Sequence, residues 1–133
     1  MSRARAVIAE DHALIQEMIR NELEQECDVV DAVMDGPAAL ASVEEHCPDI
    51  LLVDVSLPVL GGFAVAERVR ERHPGVKILF VTAHAEPSYV DRAFELGAMG
   101  YLSKASIRIE LRCAVRAVLA GEQFRSAIFR RID

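Results

Sequence analysis

Short apolar runs alternate with segments of helical periodicity along nearly the whole chain. The runs fall at residues 6–9, 29–33, 49–53, 77–81 and 98–102. Apolar runs of this length between turn signals are typical of buried strands, and apolar residues spaced three or four apart are typical of amphipathic helices. The pattern therefore predicts an α/β fold, a three-layer sandwich in which a five-stranded parallel sheet carries five helices on its two faces.

The length and charge of the chain limit what it can do. With 133 residues it suits one domain with a substantial core, which we predict over residues 1–121. The formal net charge of −6 at pH 7 disfavours binding of nucleic acid by this chain itself. Residues 122–133 show no pattern of a partner strand or long helix, and we predict a C-terminal tail or a truncated linker to an absent output domain.

The cysteines and the hydropathy pattern indicate a cellular compartment. Cys27, Cys47 and Cys113 are widely spaced and form neither a CxxC pair nor a Cys/His ligand pattern, which favours reduced thiols. The N-terminus lacks a signal-peptide core, and no apolar segment approaches the ~18 residues that span a membrane. The sequence predicts a cytoplasmic protein without membrane association.

Polar side chains follow four of the five predicted strands. Glu10 and Asp11 follow the first, Asp54 the third, Thr82 the fourth and Lys104 the fifth. The carboxyl ends of parallel strands lie at one edge of the sheet, which is where α/β folds of this kind bind ligands. We therefore expect these side chains to share one crevice.

The residue types in that crevice indicate phosphoryl chemistry. Three carboxylates repel each other unless a hard cation neutralises them, and oxygen ligands favour Mg²⁺ or Mn²⁺ over Zn²⁺. Lys104 can add a compact positive charge, and Thr82 can donate a hydrogen bond. A carboxylate such as Asp54 can attack phosphorus and form an aspartyl phosphate. The residues thus predict a phosphoryl acceptor.

Several motifs in a fixed order resemble a known family. They are the acidic pair 10–11, Asp-Val-Ser-Leu-Pro at 54–58 followed by two glycines at 61–62, Val-Thr-Ala at 81–83, and residues 97–104. Together they are similar to the receiver domain of bacterial two-component response regulators, over residues 5–121. The resemblance implies a flavodoxin-like fold with strand order 2-1-3-4-5 and phosphorylation of Asp54 by a sensor histidine kinase. It implies a signalling switch and not a turnover enzyme.

The resemblance also implies a metal site. Asp11 and Asp54 would bind Mg²⁺ directly, Glu10 would act through a metal-bound water, and the backbone carbonyl of Ser56 would complete the protein ligands. Glu10 stands where aspartate is commoner, which lengthens the side chain and keeps the charge. We expect His12 at the rim of the site and not among the ligands.

The resemblance implies a switch as well. Thr82 would move to hydrogen-bond the phosphoryl group, Lys104 would pair with it, and Tyr101 would rotate inward behind the displaced threonine. The signal would leave through the face formed by the fourth helix, fifth strand and fifth helix. Residues at the positions of Ser56 and His84 tune the hydrolysis of the aspartyl phosphate in this family. A packed, immobile Tyr101 is the alternative interpretation of that residue.

Residues 100–106 and 117–122 resemble the subfamily whose receivers precede a LuxR-type helix-turn-helix domain. Ala105 stands where many receivers carry proline after the lysine. This likeness implies transcription regulation through a DNA-binding output domain, and a possible homodimer. The alternative is a stand-alone receiver, or a pseudo-receiver that acts as a protein-interaction module.

Two other functional classes fit the sequence less well. A phosphatase of the haloacid-dehalogenase type also uses a strand-end aspartate, but it needs a second aspartate two residues later, where this chain has Ser56. A flavodoxin-like nucleotide binder would need a glycine-rich or hydroxyl-rich loop after the first strand, where Glu10 and Asp11 would repel a phosphate.

Overall fold

A parallel β-sheet forms the central layer of the computed structural model, which describes residues 3–129. Within that range the strand order is β2-β1-β3-β4-β5-β6, and each neighbouring pair is parallel. The strands are β1 Arg5–Ala9, β2 Asp28–Val33, β3 Ile50–Val53, β4 Lys77–Thr82, β5 Gly100–Ser103 and β6 Phe124–Arg125. The order of the first five strands confirms the flavodoxin-like prediction.

Helices cover both faces of this sheet. They are α1 Ala13–Leu23, α2 Gly36–His46, α3 Gly62–Arg72, α4 Pro87–Glu95 and α5 Ile107–Leu119. One apolar core lies between the sheet and α1 with α5, and a second lies between the sheet and α2, α3 and α4. Every residue of β3 is at most 1% exposed because both of its faces are covered, which explains its continuous apolar sequence.

The sixth strand departs from the prediction for the C-terminal tail. Phe124 and Arg125 pair in parallel with Gly100 and Tyr101 of β5, so the expectation that the tail has no partner strand was wrong. A two-residue strand is too short to show a period of two, and its position depends on the free edge that β5 offers. Residues 130–133 of the predicted tail lie outside the described residues.

Two local features fix the strand ends that carry Asp54 and Lys104. A Cβ atom on Gly62 would lie 2.1 Å from the carbonyl oxygen of Asp54, so α3 begins against that strand end at a distance that only glycine allows. After β5, residues Lys104–Ser106 form a 3₁₀ turn in which the Ser103 hydroxyl accepts a hydrogen bond from the Ala105 N–H at 3.1 Å. Close backbone packing therefore fixes the strand end at Asp54, and a side-chain cap fixes the strand end at Lys104.

The cysteines are free thiols in the structure. Cys27 is buried, whereas Cys47 and Cys113 are exposed. Burial raises the pKa of the Cys27 thiol to about 11, which leaves little thiolate at neutral pH. Across residues 3–129, no helix has both the length and the apolar character that a membrane crossing requires.

Candidate functional site

The predicted site residues meet at the carboxyl edge of the sheet. Backbone hydrogen bonds extend the strand pairing past the strand ends: the N–H of Asp54 donates to the carbonyl of Ala9, and that of Glu10 donates to Val33, each at 3.0 Å. Asp54 and Glu10 are nearly inaccessible, with exposures of 3% and 1%. The sheet therefore places two carboxylates of separate strands side by side in the interior.

Lys104 joins these two carboxylates. Its Nζ lies 2.8 Å from Oε1 of Glu10 and 3.0 Å from Oδ2 of Asp54. Burial by itself lowers the pKa of Lys104, but the contacts with Glu10 and Asp54 outweigh it and the pKa is raised. Lys104 is therefore a firmly protonated cation between two buried anions, as its residue type predicted.

The acidic pair continues toward the surface through Asp11 and His12. Oε2 of Glu10 accepts a hydrogen bond from the His12 N–H at 2.9 Å, and Nδ1 of His12 lies 3.2 Å from the same oxygen and 3.4 Å from Oδ1 of Asp11. The Gln16 side chain donates to the carbonyls of Glu10 and Val33, which ties α1 to the two strand ends. His12 is largely exposed, but one of its ring nitrogens lies within 4.8 Å of ligand oxygens of Glu10 and Asp11, so its position outside the ligand set stays a prediction.

The donor set of this crevice fits a hard divalent cation. Oδ1 of Asp11 is buried and makes no hydrogen bond among the described residues, although Nδ1 of His12 lies 3.4 Å from it. Oε1 of Glu10 lacks an aligned hydrogen bond too, but its 2.8 Å distance to Lys104 makes it one half of an ion pair. One cation from Lys104 does not balance three carboxylates, and oxygen ligands suit Mg²⁺ or Mn²⁺.

A row of polar groups lines the mouth of the crevice. The Ser56 N–H donates to Oδ1 of Asp54 at 3.3 Å, and the Ser56 hydroxyl lies 2.7 Å from Nε2 of His84. The other ring nitrogen of His84 is 3.4 Å from a carboxylate oxygen of Glu86, and the ring stacks on Tyr89. The two residues at the positions that tune hydrolysis in this family, Ser56 and His84, are thus in direct contact.

Thr82 and Tyr101 are connected through the backbone of His84. Oγ1 of the fully buried Thr82 accepts a hydrogen bond from the His84 N–H at 3.2 Å. The Tyr101 hydroxyl donates to the His84 carbonyl at 2.9 Å. Burial raises the pKa of Tyr101, so its phenol remains protonated and remains a donor. The ring already points inward and is fully buried, so the predicted inward rotation stays a prediction.

Sequence reasoning missed three residues around the site. Glu86 is one polar residue in a loop, and the sequence carries no signal that it faces His84. Ser126 and Phe129 lie beyond the predicted domain boundary, where the pattern indicated only a tail. The polar, fully buried Ser126 could not be distinguished from an exposed loop serine.

The structure also has a groove of about 390 Å³ between α2 and α3. Its lining includes Leu40, Val43, Glu44, Arg72 and His73, and none of the predicted site residues belongs to it. The groove is therefore separate from the acidic crevice.

The sheet order and the acidic crevice at its carboxyl edge define a receiver-type α/β domain. The family model for the response regulator receiver domain matches residues 6–116, and the chain belongs to this family. Its relatives include the probable transcriptional regulatory protein NarL of Mycobacterium tuberculosis, which is 37% identical over 119 residues, covering 88% of this chain and 54% of that protein. The oxygen regulatory protein NreC of Staphylococcus haemolyticus is 35% identical over 122 residues, covering 89% and 56%.

Solved structures agree with this assignment. A two-component response regulator of the LuxR family from Aurantimonas sp. SI85-9A1 superimposes with a TM-score of 0.91 at 33% identity, covering 96% of this chain and 93% of that one. The receiver domain of the putative response regulator NarL from Mycobacterium tuberculosis gives a TM-score of 0.87 at 35% identity, covering 92% and 100%. The chain is a receiver domain of the LuxR-family type, and it spans about half the length of the curated relatives.

Proposed function

We propose that Asp54 is the phosphoacceptor of this receiver domain and that its phosphorylation requires a divalent cation. The observation that carries the proposal is the buried Asp54 carboxylate, held 3.0 Å from Lys104 beside a second buried carboxylate, Glu10. Anions kept together away from water need a functional reason, because burying a charge is costly. Accepting a cation and a phosphoryl group supplies that reason.

The metal would be held by Asp11, Asp54 and the backbone carbonyl of Ser56, with Glu10 acting through a bound water. Mg²⁺, or Mn²⁺ in its place, would neutralise part of the negative charge of the carboxylates and of the phosphoryl oxygens. The buried Oδ1 of Asp11, which makes no hydrogen bond among the described residues, supports this assignment.

The proposed reaction uses the side chains that meet in the crevice. An oxygen of Asp54 forms a bond to phosphorus while the bond from phosphorus to a histidine nitrogen of the donor breaks, and that nitrogen keeps the electron pair and takes up a proton. Lys104, already positioned between Glu10 and Asp54, counters charge on the phosphoryl oxygens. Thr82 turns its hydroxyl from the His84 N–H to the new group. In the later hydrolysis, water attacks phosphorus and Asp54 leaves as carboxylate.

The partners follow from the family. We propose a sensor histidine kinase as donor, and transcription regulation through a LuxR-type DNA-binding domain as output, because the relatives include regulators of transcription. A homodimer, a switch without substrate turnover and a cytoplasmic location belong to the same proposal. The receiver would comprise residues 1–121 and the tail or linker residues 122–133, although part of that tail packs on the receiver.

The proposal is tested by intact mass after incubation with acetyl phosphate. We expect one phosphoryl group to add in the presence of Mg²⁺, to be removed by hydroxylamine, and to map to the peptide that contains Asp54. Omission of Mg²⁺ should prevent the addition. Failure to form any adduct, together with no binding of beryllofluoride, would leave the pseudo-receiver as the better interpretation.

We further propose that Ser56 and His84 set the lifetime of the phosphoryl group. Their side chains are hydrogen-bonded to each other beside Asp54, which accepts a hydrogen bond from the Ser56 N–H, and we expect them to hinder the approach of water. The change His84→Ala should therefore shorten the lifetime of the adduct severalfold, measured by its decay in intact mass. His46→Ala, on α2, serves as the control and should leave the lifetime unchanged. An unchanged or longer lifetime in His84→Ala would contradict this role.

A further inference from the structure

The segment 124–129 is fastened to the outer edge of β5 by its backbone. The N–H of Phe124 donates to the carbonyl of Met99 at 2.9 Å, and the N–H of Ser126 donates to Tyr101 at 3.0 Å. The Ser126 hydroxyl accepts a hydrogen bond from the Ser103 N–H at 2.8 Å and is fully buried. The segment is therefore a specific continuation of the sheet.

Side chains on both flanking helices hold the same segment. On the α5 side, a carboxylate oxygen of Glu110 accepts a hydrogen bond from the Ala127 N–H at 3.1 Å, at the start of the 3₁₀ turn Ala127–Phe129. On the α4 side, the Arg125 guanidinium stacks 4.7 Å over the ring of Phe94. The segment thus occupies the strip between α4 and α5, which is the face predicted to transmit the signal.

Phe129 connects the segment to the proposed switch. Its ring packs edge-on against Tyr101 with the centroids 5.2 Å apart. Tyr101 in turn donates to the His84 carbonyl, and the His84 N–H donates to Thr82. A chain of direct contacts therefore runs from the C-terminal segment to the residue that would bind the phosphoryl group.

These contacts give the coupling a definite sign. Phe129 lies against Tyr101 in its inward position, so the docked segment disfavours an outward rotation of that ring. A phosphoryl group that draws the Thr82 hydroxyl toward Asp54 removes the hydrogen-bond acceptor of the His84 N–H. The hydrogen bond from the inward Tyr101 then remains as the side-chain contact to the His84 backbone, beside the contacts that the His84 ring makes with Ser56 and Tyr89. Docking of the segment and phosphorylation of Asp54 therefore both favour the inward position of Tyr101.

We propose that docking of segment 124–129 on β5 and phosphorylation of Asp54 stabilise each other through the Phe129–Tyr101 contact. This inference rests on the proposed function of Asp54. Coupling between two sites is reciprocal, so each must strengthen the other by the same factor. The segment is then the element that carries the state of Asp54 to the C-terminal side of the domain.

Hydrogen exchange of the whole chain, with and without beryllofluoride and Mg²⁺, tests the first half of the coupling. The reporters are the hydrogen-bonded amides of the segment, at Phe124, Ser126, Ala127 and Phe129. We expect beryllofluoride to slow their exchange by about fivefold or more, the lower end of typical allosteric couplings. Unchanged or faster exchange while beryllofluoride is bound would overturn the proposal.

The variant Phe129→Ala tests the reciprocal half. It should weaken beryllofluoride binding by the factor seen in the exchange experiment, about fivefold by the same typical coupling. Ile128→Ala is the matched control, because Ile128 is the neighbouring apolar residue and is 68% exposed. Equal affinities in the two variants would refute the coupling. Circular dichroism checks that both variants are folded. If Phe129→Ala does not fold, the hydrogen-exchange result on the wild type alone decides whether the coupling exists.

The acetyl phosphate experiment separates the two possible failures. If no phosphoryl group adds and beryllofluoride does not bind, the proposed function fails. If Asp54 is phosphorylated and the segment amides do not respond, the function stands and the coupling fails.

Discussion

Replacement of Lys104 by methionine should lower the free energy of unfolding by about 3 kcal/mol in metal-free buffer, the lower end for breaking a buried ion pair. The Lys104 ammonium group contacts both Oε1 of Glu10 and Oδ2 of Asp54. Methionine keeps the volume and removes the charge, so two buried carboxylates then face each other uncompensated. Urea denaturation measures the change, provided that the free energy of unfolding falls with urea concentration at the same slope in both proteins.

Mg²⁺ should restore part of that loss in Lys104→Met, because a bound cation takes over the neutralisation of the same carboxylates. Lys77→Met is the matched control, since Lys77 is the other lysine of the chain and lies at the start of β4, at the opposite edge of the sheet. It should change stability by much less, and Mg²⁺ should stabilise it only as much as it stabilises the wild type. Equal losses in the two variants would refute the electrostatic role of Lys104.

The pH dependence of this contribution follows from the raised pKa of Lys104. A group whose pKa is higher in the folded protein contributes stability that is fully present below its unfolded pKa, which is 10.5 for lysine. That stability is lost as the pH rises through the raised folded value. The difference in free energy of unfolding between wild type and Lys104→Met should therefore be constant from neutral pH to about pH 9. It should shrink above about pH 10.5.

The site could be predicted from the sequence because the carboxyl ends of parallel strands all lie at the same edge of the sheet. Asp54, Glu10, Thr82 and Lys104 each follow an apolar run, and the alternation of strands and helices requires the strands to be parallel. Their proximity was thus a consequence of topology, and it needed no knowledge of side-chain packing. The residue types then limited the chemistry that the crevice can perform.

The parts that the sequence did not reveal depend on contacts between distant, short segments. Phe129 meets Tyr101 across 28 positions only because β6 adds to an open sheet edge, and two residues give no periodic signal. The inward position of Tyr101 depends on a backbone carbonyl, that of His84, which no side-chain pattern encodes. The pairing of His84 with Glu86 likewise depends on a loop conformation.

The substitution Asp54→Asn should abolish phosphoryl incorporation from acetyl phosphate and at the same time raise stability in metal-free buffer. The amide cannot act as the nucleophile, so intact mass should show no adduct. Asparagine nearly keeps the shape of aspartate while removing one of the three negative charges near Lys104, which retains its 2.8 Å partner Glu10. We expect a gain of about 1 kcal/mol, the low end for unit charges a few ångströms apart, because the repulsion among the carboxylates falls while Lys104 keeps an anionic partner.

Asp28→Asn is the control for this change, because Asp28 is an exposed carboxylate at the start of β2, paired only loosely with Arg3 at 3.6 Å. It should leave both phosphorylation and stability unchanged. The stabilisation of Asp54→Asn should also disappear when Mg²⁺ is added, because the wild type then gains more from the cation than the variant does. Phosphorylation that persists in Asp54→Asn would move the acceptor to another residue. A variant less stable than wild type would mean that the Asp54–Lys104 contact outweighs the repulsion among the carboxylates. The acidic crevice would then not hold an electrostatic cost for a bound cation to relieve.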